Sequence, residues 1–383
     1  MPEKQNIKNH LSWWEYEQMF KDIDYTIIGG GIVGLSTAIE IKKIDASLKV
    51  LVVDMKRLPF GASTKNAGFA CFGSISEIMD DYHHYGEEVC KKLIKMRWKG
   101  LSILKSRVPA SKMNYQPKHG AEVFKSDQEF DRYVEQLDWV NELVASIVGD
   151  DQCFSHGQGP FGNEIINRLE GCLHPQKMMN ALEIEARQLG VSFIYGLKVD
   201  DIDFDQKTLL TDQGSMGFNQ LVVCTNGFTE RLLSIHDVKP ARNQVLITEK
   251  IDGFSLGRCY HMNKGFVYFR EIEGRLLLGG GRDLDKEGET TDQLGSTELI
   301  ENYLKDLMDN HILKGKAYSI AHRWSGILGV GASKMPIVER INAHVLVAVR
   351  MGGMGVAIGS FIGEVAAAML FENDNSAHRL FVT

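Results

Sequence analysis

The run "YTIIGGGIVGLSTAIEI", Tyr25 to Ile41, constrains the fold more than any other stretch. Tyr25 to Ile28 is a short continuous apolar run of the kind that forms a buried strand. Three glycines follow, and from Ile32 the apolar residues recur at helical spacing. "KVLVVD", Lys49 to Asp54, then reads as a second buried strand. Strand, tight turn, helix and strand make a βαβ unit, whose strands lie parallel and need covering on both faces. The expected class is therefore α/β.

Gly29, Gly31 and Gly34 satisfy G-x-G-x-x-G in its required context, a strand before and a helix after. Asp54 ends the next strand, where a carboxylate can accept hydrogen bonds from an adenosine ribose. The glycines allow close approach to a pyrophosphate, whose charge sits at the helix N-terminus. This turn alone does not separate NAD from FAD, because both present the same adenosine diphosphate.

Two further segments favour the longer ligand. "GASTKNAGF", Gly61 to Phe69, offers the polar groups of Ser63, Thr64 and Asn66, while Ala62, Ala67 and Gly68 leave room for something broad and flat. In "RMGGMGVAIGSFIGEVAAAML", Gly352, Gly353 and Gly355 open a second helix whose unbonded amides form a positive end. A reduced flavin is anionic along one edge and would be stabilised there.

Helical periodicity marks Glu77 to Val108 and Ala121 to Val148 as helices of a second domain, with "EFDRYVEQLDWVNELVASIV" reading as one amphipathic helix. "NQLVVCTNGF", Asn219 to Phe228, is another buried strand ending in a polar turn. Between Val238 and Asp283 the pattern alternates, as in antiparallel strands, with a turn at Glu273 and Gly274.

The 383 residues suit two domains, and a net charge of -7 leaves no excess of Lys and Arg to neutralise nucleic acid. A small-molecule partner is expected. The N-terminal segment lacks the apolar core of a signal peptide and no window has the apolar length of a membrane span, so a cytoplasmic protein is expected. Six cysteines occur without metal-site or disulfide-framework spacing. The adjacent His83 and His84 point apart on a helix, and no metal is expected.

"IIGGGIVGLSTAIEI", "VVD", "GASTKNAGF", "GCLHPQKM", "VVCTNGF", "VKPARNQV", "YFREIEGRLLLGGGRD", "RWSGILGVGASKMPIV" and "RMGGMGVAIGSFIGEVAA" occur in the order seen in the D-amino-acid oxidase-like FAD-dependent oxidoreductases. The chain resembles that superfamily from about Asp24 to Leu370, most of all its glycine oxidase and gamma-glutamylputrescine oxidase branch. The resemblance implies a Rossmann-like, glutathione reductase-like FAD-binding domain with an inserted α+β substrate domain containing an antiparallel sheet. The FAD-binding domain is expected from residues 22–80, 160–235 and 320–375, the substrate domain from 81–159 and 236–319, and an N-terminal extension over 1–21.

By position, the resemblance implies that Gly29, Gly31, Ile32, Val33 and Gly34 hold the pyrophosphate and Asp54 the ribose. Ala62, Ser63, Thr64, Asn66, Ala67, Gly68 and Phe69 would follow the pyrophosphate and flavin edge. Val199 would meet adenine, Thr225, Asn226 and Gly227 would lie beside the dinucleotide, and Gly353, Met354, Gly355 and Val356 would meet the flavin pyrimidine. No cysteine or histidine stands where relatives attach flavin, so FAD is expected to be non-covalent.

Two departures concern mechanism. Leu328 stands where glycine oxidase-like enzymes tend to place a carboxylate-clamping arginine, and Leu277 where sarcosine oxidase-like enzymes place an oxygen-activating lysine. The electron acceptor is accordingly oxygen or a carrier. Tyr260, His261, Tyr268, Arg270, His322 and Trp324 are the candidate substrate contacts, while Arg242 and Gln244 read as structural. The implied reaction is oxidation of a C–N bond of a small amine or amino-acid derivative, by hydride transfer to flavin and hydrolysis of the imine. The alternatives are a dehydrogenase of a hydroxy acid or polyol phosphate, and a scaffold with structural FAD. Cys71, with no activating neighbour in sequence, reads as a small residue near the flavin or substrate cavity.

Overall fold

A computed structural model describes residues 6–55, 61–235 and 237–371. The chain divides into two compact units: Met1–Thr64, Gln176–Pro240 and Leu328–Thr383 form the first, and Lys65–Pro175 with Ala241–Ile327 the second. These cuts differ from the expected ones. Residues 65–80 and 160–175 fall in the second unit: Gly162–Asn167 pairs with Gly120–Val123 in its sheet, and Phe69–Ala70 pairs in turn with Gly171–Cys172.

In the first unit a six-stranded sheet runs in the order Ile337–Asn342, Val345–Val349, Gln220–Val223, Tyr25–Ile28, Val50–Asp54, Ser192–Tyr195. All neighbours are parallel except the edge strand Ile337–Asn342. The apolar runs recognised in sequence are thus the central strands, buried on both faces. Leu51, Val53, Leu221, Val223, Val345 and Val347 point to one face. There they pack with Val199, Ile202, Leu209 and Met216 of a three-stranded antiparallel sheet. Ile7, in the expected N-terminal extension, is buried in that same core; residues 1–5 lie outside the described residues.

Two helices of this unit, Ile32–Ile44 and Gly355–Phe371, pack against each other along much of their length. Small residues allow it: a Cβ on Gly363 would sit 2.3 Å from Ser36 Cβ. The second helix is apolar nearly all round and correspondingly buried.

The second unit is built on an eight-stranded sheet in the order Ile320–Val330, Lys239–Thr248, Arg275–Gly280, Val267–Ile272, Cys259–Met262, Gly120–Val123, Gly162–Asn167, Phe154–Gly159. The expected hairpin turn is present, with Glu273 and Gly274 both at positive φ. One junction is unforeseen, since Cys259–Met262 runs parallel to Gly120–Val123.

Two sequence expectations need correction here. Gly120–Val123 is a buried strand rather than helix, paired on both sides by strands distant in sequence. The expected single helix is two, Asp127–Val134 and Leu137–Val148. Its apolar stripe is continuous, but Phe130 and Tyr133 dock on Phe124, whereas Trp139 meets Tyr82 and Asn141 is bonded to Phe154. The turn at Glu135 and Gln136 serves both sets of partners. Among the described residues, no helix is long and apolar enough to cross a membrane.

Candidate functional site

The carboxyl ends of the parallel strands in the first unit carry most of the residues singled out in sequence. The glycine turn leaves Tyr25–Ile28, with Gly29 N–H bonded to Val53 O at 2.8 Å and Gly30 N–H to Asp54 Oδ2 at 2.9 Å. Helix Ile32–Ile44 starts at once, and Ser63 Oγ accepts from Ile32 N–H at 3.1 Å. Gly34 is required by a close approach, because a Cβ there would lie 1.9 Å from Gly29 O. Val33 is buried behind the turn, and Ala62 and Thr64 lie on the short helix Ala62–Lys65.

Past Asp54 the backbone is held by Gly196 and Leu197, whose N–H groups bond Asp54 O at 2.9 and 3.1 Å, and Val199 follows as a buried strand residue. Thr225, Asn226 and Gly227 form the turn after Gln220–Val223. Asn226 has φ +46° and Arg350 φ +66°, left-handed conformations uncommon outside glycine. They are tied together: Asn226 Oδ1 accepts from the amides of Arg350 at 3.1 Å and Met351 at 3.2 Å. Arg350 is held in turn, donating from Nε to Met335 O at 2.7 Å and pairing with Asp237. This staple fixes the loop that delivers Gly353, Met354, Gly355 and Val356 to the start of helix Gly355–Phe371.

In the second unit, Gly68 N–H bonds Asn66 Oδ1 at 2.9 Å and Gly68 O accepts from Leu173 N–H at 2.8 Å. Ala67, Val245 and Leu277 form a small buried cluster with Phe69, Ile247, Tyr268 and Trp324 packed against it. Tyr268 OH accepts from Asn243 Nδ2 at 3.0 Å, leaving its own proton to donate, and burial pushes its pKa well up. Trp324 Nε1 donates to Lys65 O at 2.9 Å.

Residues 24–369 match the family DAO, described as FAD dependent oxidoreductase. The chain belongs to this family. The oxidoreductase is 23% identical to gamma-glutamylputrescine oxidoreductase of Escherichia coli (strain K12), over 91% of this chain and 83% of that protein. L-proline dehydrogenase from P. horikoshii shares its fold with a TM-score of 0.71, at 17% identity, covering 92% of this chain and 94% of that one. Glycine oxidase from Bacillus cereus ATCC 14579 does so at 0.69 and 14%, covering 91% and 97%. The cofactor of this oxidoreductase is FAD, and the first unit fits such a group: a side-chain-free turn, a carboxylate on the second strand and two helix starts lie at one sheet edge.

Of the candidate substrate contacts, the oxidoreductase brings Tyr268 and Trp324 into one cluster with Phe69. His261 reaches it edge-on, with ring centroids 5.1 Å from Phe69. His322 is exposed and stacked on Trp324. Tyr260 is fully buried, stacked on Phe269 with ring centroids 4.9 Å apart, and belongs to the hydrophobic core. Arg270 is buried and donates to Leu173 O at 3.0 Å, so its place is neither a surface ion pair nor an open strand face. Arg242 and Gln244 both bond Glu289, in keeping with a structural role.

Sequence reasoning missed a buried ionisable cluster. Cys71, Glu170 and His261 bring their reactive atoms within 4.8 Å of one another, although the chain separates them by up to 190 positions. Glu170 Oε1 accepts from the amides of Phe72 and Gly73 at 3.0 and 3.2 Å, and its other oxygen lies 3.4 Å from His261 Nε2, an ion-pair contact rather than a formed hydrogen bond. Burial, then the Glu170 charge, pushes the Cys71 thiol well up, which keeps the sulfur protonated. Burial alone would lower His261, but Glu170, with smaller help from Glu77 and Glu122, raises it.

Glu122, beside His261 across the parallel pair and bonded by Ser76, is raised by burial to about 7 against those hydrogen bonds. The folded chain therefore binds more protons than the unfolded one between pH 4.5 and about 7, so this contribution to stability falls as pH rises through that window. His261, also raised, has the same sign above its ordinary value. Glu122→Gln is expected to flatten the slope of stability against pH between 4.5 and about 7. Urea midpoints at pH 5 and pH 8 measure this; equal slopes in variant and wild type would refute it.

Proposed function

We propose that this oxidoreductase oxidises a C–N bond of a small amine or amino-acid derivative. The observation that carries the reading is the apolar, half-buried face made by Phe69, Ile247, Tyr268, Leu277 and Trp324, with Tyr268 OH as its neutral polar group. Such a surface disfavours an ammonium and holds an amine in the neutral form able to release hydride. The relatives support this chemistry, being named for gamma-glutamylputrescine, proline and glycine, all of which contain a C–N bond.

FAD, when bound, supplies the hydride acceptor. Gly29, Gly31, Ile32, Val33 and Gly34 hold its pyrophosphate and Asp54 its ribose. Val199 and Thr225 to Gly227 flank the adenosine half, and Ala62 to Thr64 with Asn66 to Phe69 follow the chain of the cofactor toward the flavin. The amides of Gly353, Gly355 and Val356 would stabilise its anionic edge at the start of their helix, the Met354 amide being bonded to Met351 O. FAD is held without a covalent bond. The protein otherwise orients the amine, excludes water during hydride transfer and admits it afterwards to hydrolyse the imine.

Anaerobic mixing of the yellow protein with a panel of primary and secondary amines, amino acids and hydroxy acids tests this. Bleaching of the flavin by amino compounds and not by hydroxy acids is the expected result. Bleaching by hydroxy acids alone, or by no compound in the panel, overturns it. Peroxide formed on turnover in air identifies oxygen as the acceptor, and turnover only with an added dye identifies a carrier.

A further inference from the structure

His261 has a ring nitrogen with nothing to bond. The residue is 5% exposed, and its Nε2 has no hydrogen-bond partner among the described residues. A buried polar atom left unsatisfied in a folded protein points to a missing partner, an ion among them. Nε2 faces Glu170 Oε2 at 3.4 Å, and Cys71 Sγ lies within 4.8 Å of both atoms. All three side chains are buried, and all three belong to the second unit. Imidazole nitrogen, carboxylate oxygen and cysteine sulfur are the ligand types of zinc. Two ligands each about 2.0–2.1 Å from a tetrahedral ion stand about 3.3–3.4 Å apart, which is the His261 to Glu170 separation. Sulfur, bound at about 2.3 Å, belongs about 3.6 Å from the other two, so Cys71 has to close by at most about 1.2 Å.

The groups behind these atoms hold them in place. Glu170 Oε1 is occupied by the amides of Phe72 and Gly73 at 3.0 and 3.2 Å, which leaves Oε2 to face His261. Gly120 makes room for that oxygen, since a Cβ there would stand 2.0 Å from Glu170 Oε2. The turn after Cys71 is fixed from two sides: Arg97, ion-paired with Asp81, donates to Phe72 O at 3.2 Å, and Asn167 Nδ2 donates to Gly73 O at 3.4 Å. His261 sits on a strand paired on both flanks. Outer contacts of this kind orient metal ligands. Glu122 is taken up by the amide and hydroxyl of Ser76. No sequence spacing displays the three ligands, because 99 and 91 positions part them.

We propose that Cys71, Glu170 and His261 form a zinc site that ties the segment after Phe69–Ala70 to the sheet of the second unit. Zinc(II) displaces the Cys71 proton to solvent and bonds the sulfur, Glu170 Oε2 and His261 Nε2; nothing is oxidised or reduced. The two positive charges of the ion meet one thiolate and one carboxylate, so the filled site is neutral, as burial requires. The sulfur and nitrogen donors select zinc over magnesium or calcium, which take oxygen ligands in larger number. The fourth position of the ion faces the cavity that Glu170 and His261 border together with Ser74, Glu122 and Asn167. Because its ligands meet only in the folded chain, the site fills as the protein folds.

The test produces the full chain with its flavin in medium supplied with zinc sulfate, then measures metal content by mass spectrometry and the metal's ligand shell by X-ray absorption. The expected result is one zinc per chain, with one sulfur at about 2.3 Å and the remaining ligands nitrogen or oxygen at about 2.0–2.1 Å. Cys71→Ser, Glu170→Gln and His261→Gln should each lose the zinc. Gly120→Ala, which displaces a ligand oxygen without removing it, should weaken binding by about 10–100-fold. Replacing the exposed His83 and His84 together by alanine should leave the zinc in place. Wild-type protein without zinc, a shell without sulfur, or a sulfur-bound zinc that survives Cys71→Ser overturns the proposal. Metal content and ligand shell are read on the wild type, so they decide even if a variant fails to fold, and neither depends on which compound bleaches the flavin.

Discussion

Gly34→Ala is expected to give a folded protein that purifies without FAD. The new Cβ would stand 1.9 Å from Gly29 O, a backbone atom that cannot swing aside. Helix Ile32–Ile44 must withdraw from the turn, at a cost of about 1–3 kcal/mol or more. The amides at its start move with it, and with them the proposed pyrophosphate contacts. Gly30→Ala is the control, because its Cβ would meet only side chains, at ordinary distances of 3.5 Å or more. Visible flavin absorption per protein, with far-UV circular dichroism as the check on folding, should separate the two variants. A yellow Gly34→Ala protein would show that the turn does not hold the cofactor.

The second large effect is expected at Asn226. Its Oδ1 accepts two amide protons, from Arg350 and Met351, at the root of the loop before helix Gly355–Phe371. Asn226→Ala leaves both donors without this acceptor, each worth about 1–3 kcal/mol if buried. It also places alanine at φ +46°, adding about 1–2 kcal/mol of strain. If the Gly353, Gly355 and Val356 amides hold the flavin edge, FAD should bind at least tenfold more weakly and its reduction potential should fall. Asn226→Gly removes the strain but not the lost acceptor, and Asn226→Asp keeps an acceptor. The expected order of affinity is therefore Asp above Gly above Ala, and wild-type FAD binding by the Gly variant would remove Asn226 from a positioning role.

These two sites differ in how far the chain itself disclosed them. Gly29, Gly31, Gly34 and Asp54 were legible because a turn, a helix start and a strand end are local events, fixed by residues at most a few tens of positions apart. The Asn226 to Arg350 staple was not. Asn226 stood out only as part of a turn, and Arg350 not at all beyond opening the run "RMGGMG", because their partnership depends on two strands lying side by side. The helical reading failed over residues 121–123 for the same reason. Gly120–Val123 is a strand because the strands at 162–167 and 259–262 take up its backbone groups, and the local pattern carries no trace of them.

The sequence by itself determined the parallel sheet of the first unit, the glycine turn with its acidic strand end, the small-residue helix near the C-terminus and the alternation that builds the second sheet. Each is written in a period or a spacing, which short-range sterics and burial enforce. Only the tertiary structure decided what the polar side chains do. It sent Tyr260 into the core, gave Tyr268 a donor in Asn243, joined Cys71 to Glu170 and His261, and set Arg270 against the Leu173 carbonyl rather than at a surface. Charge and hydrogen bonding are settled by whatever lies within about 4 Å, and in this chain those neighbours come from segments up to 259 positions away.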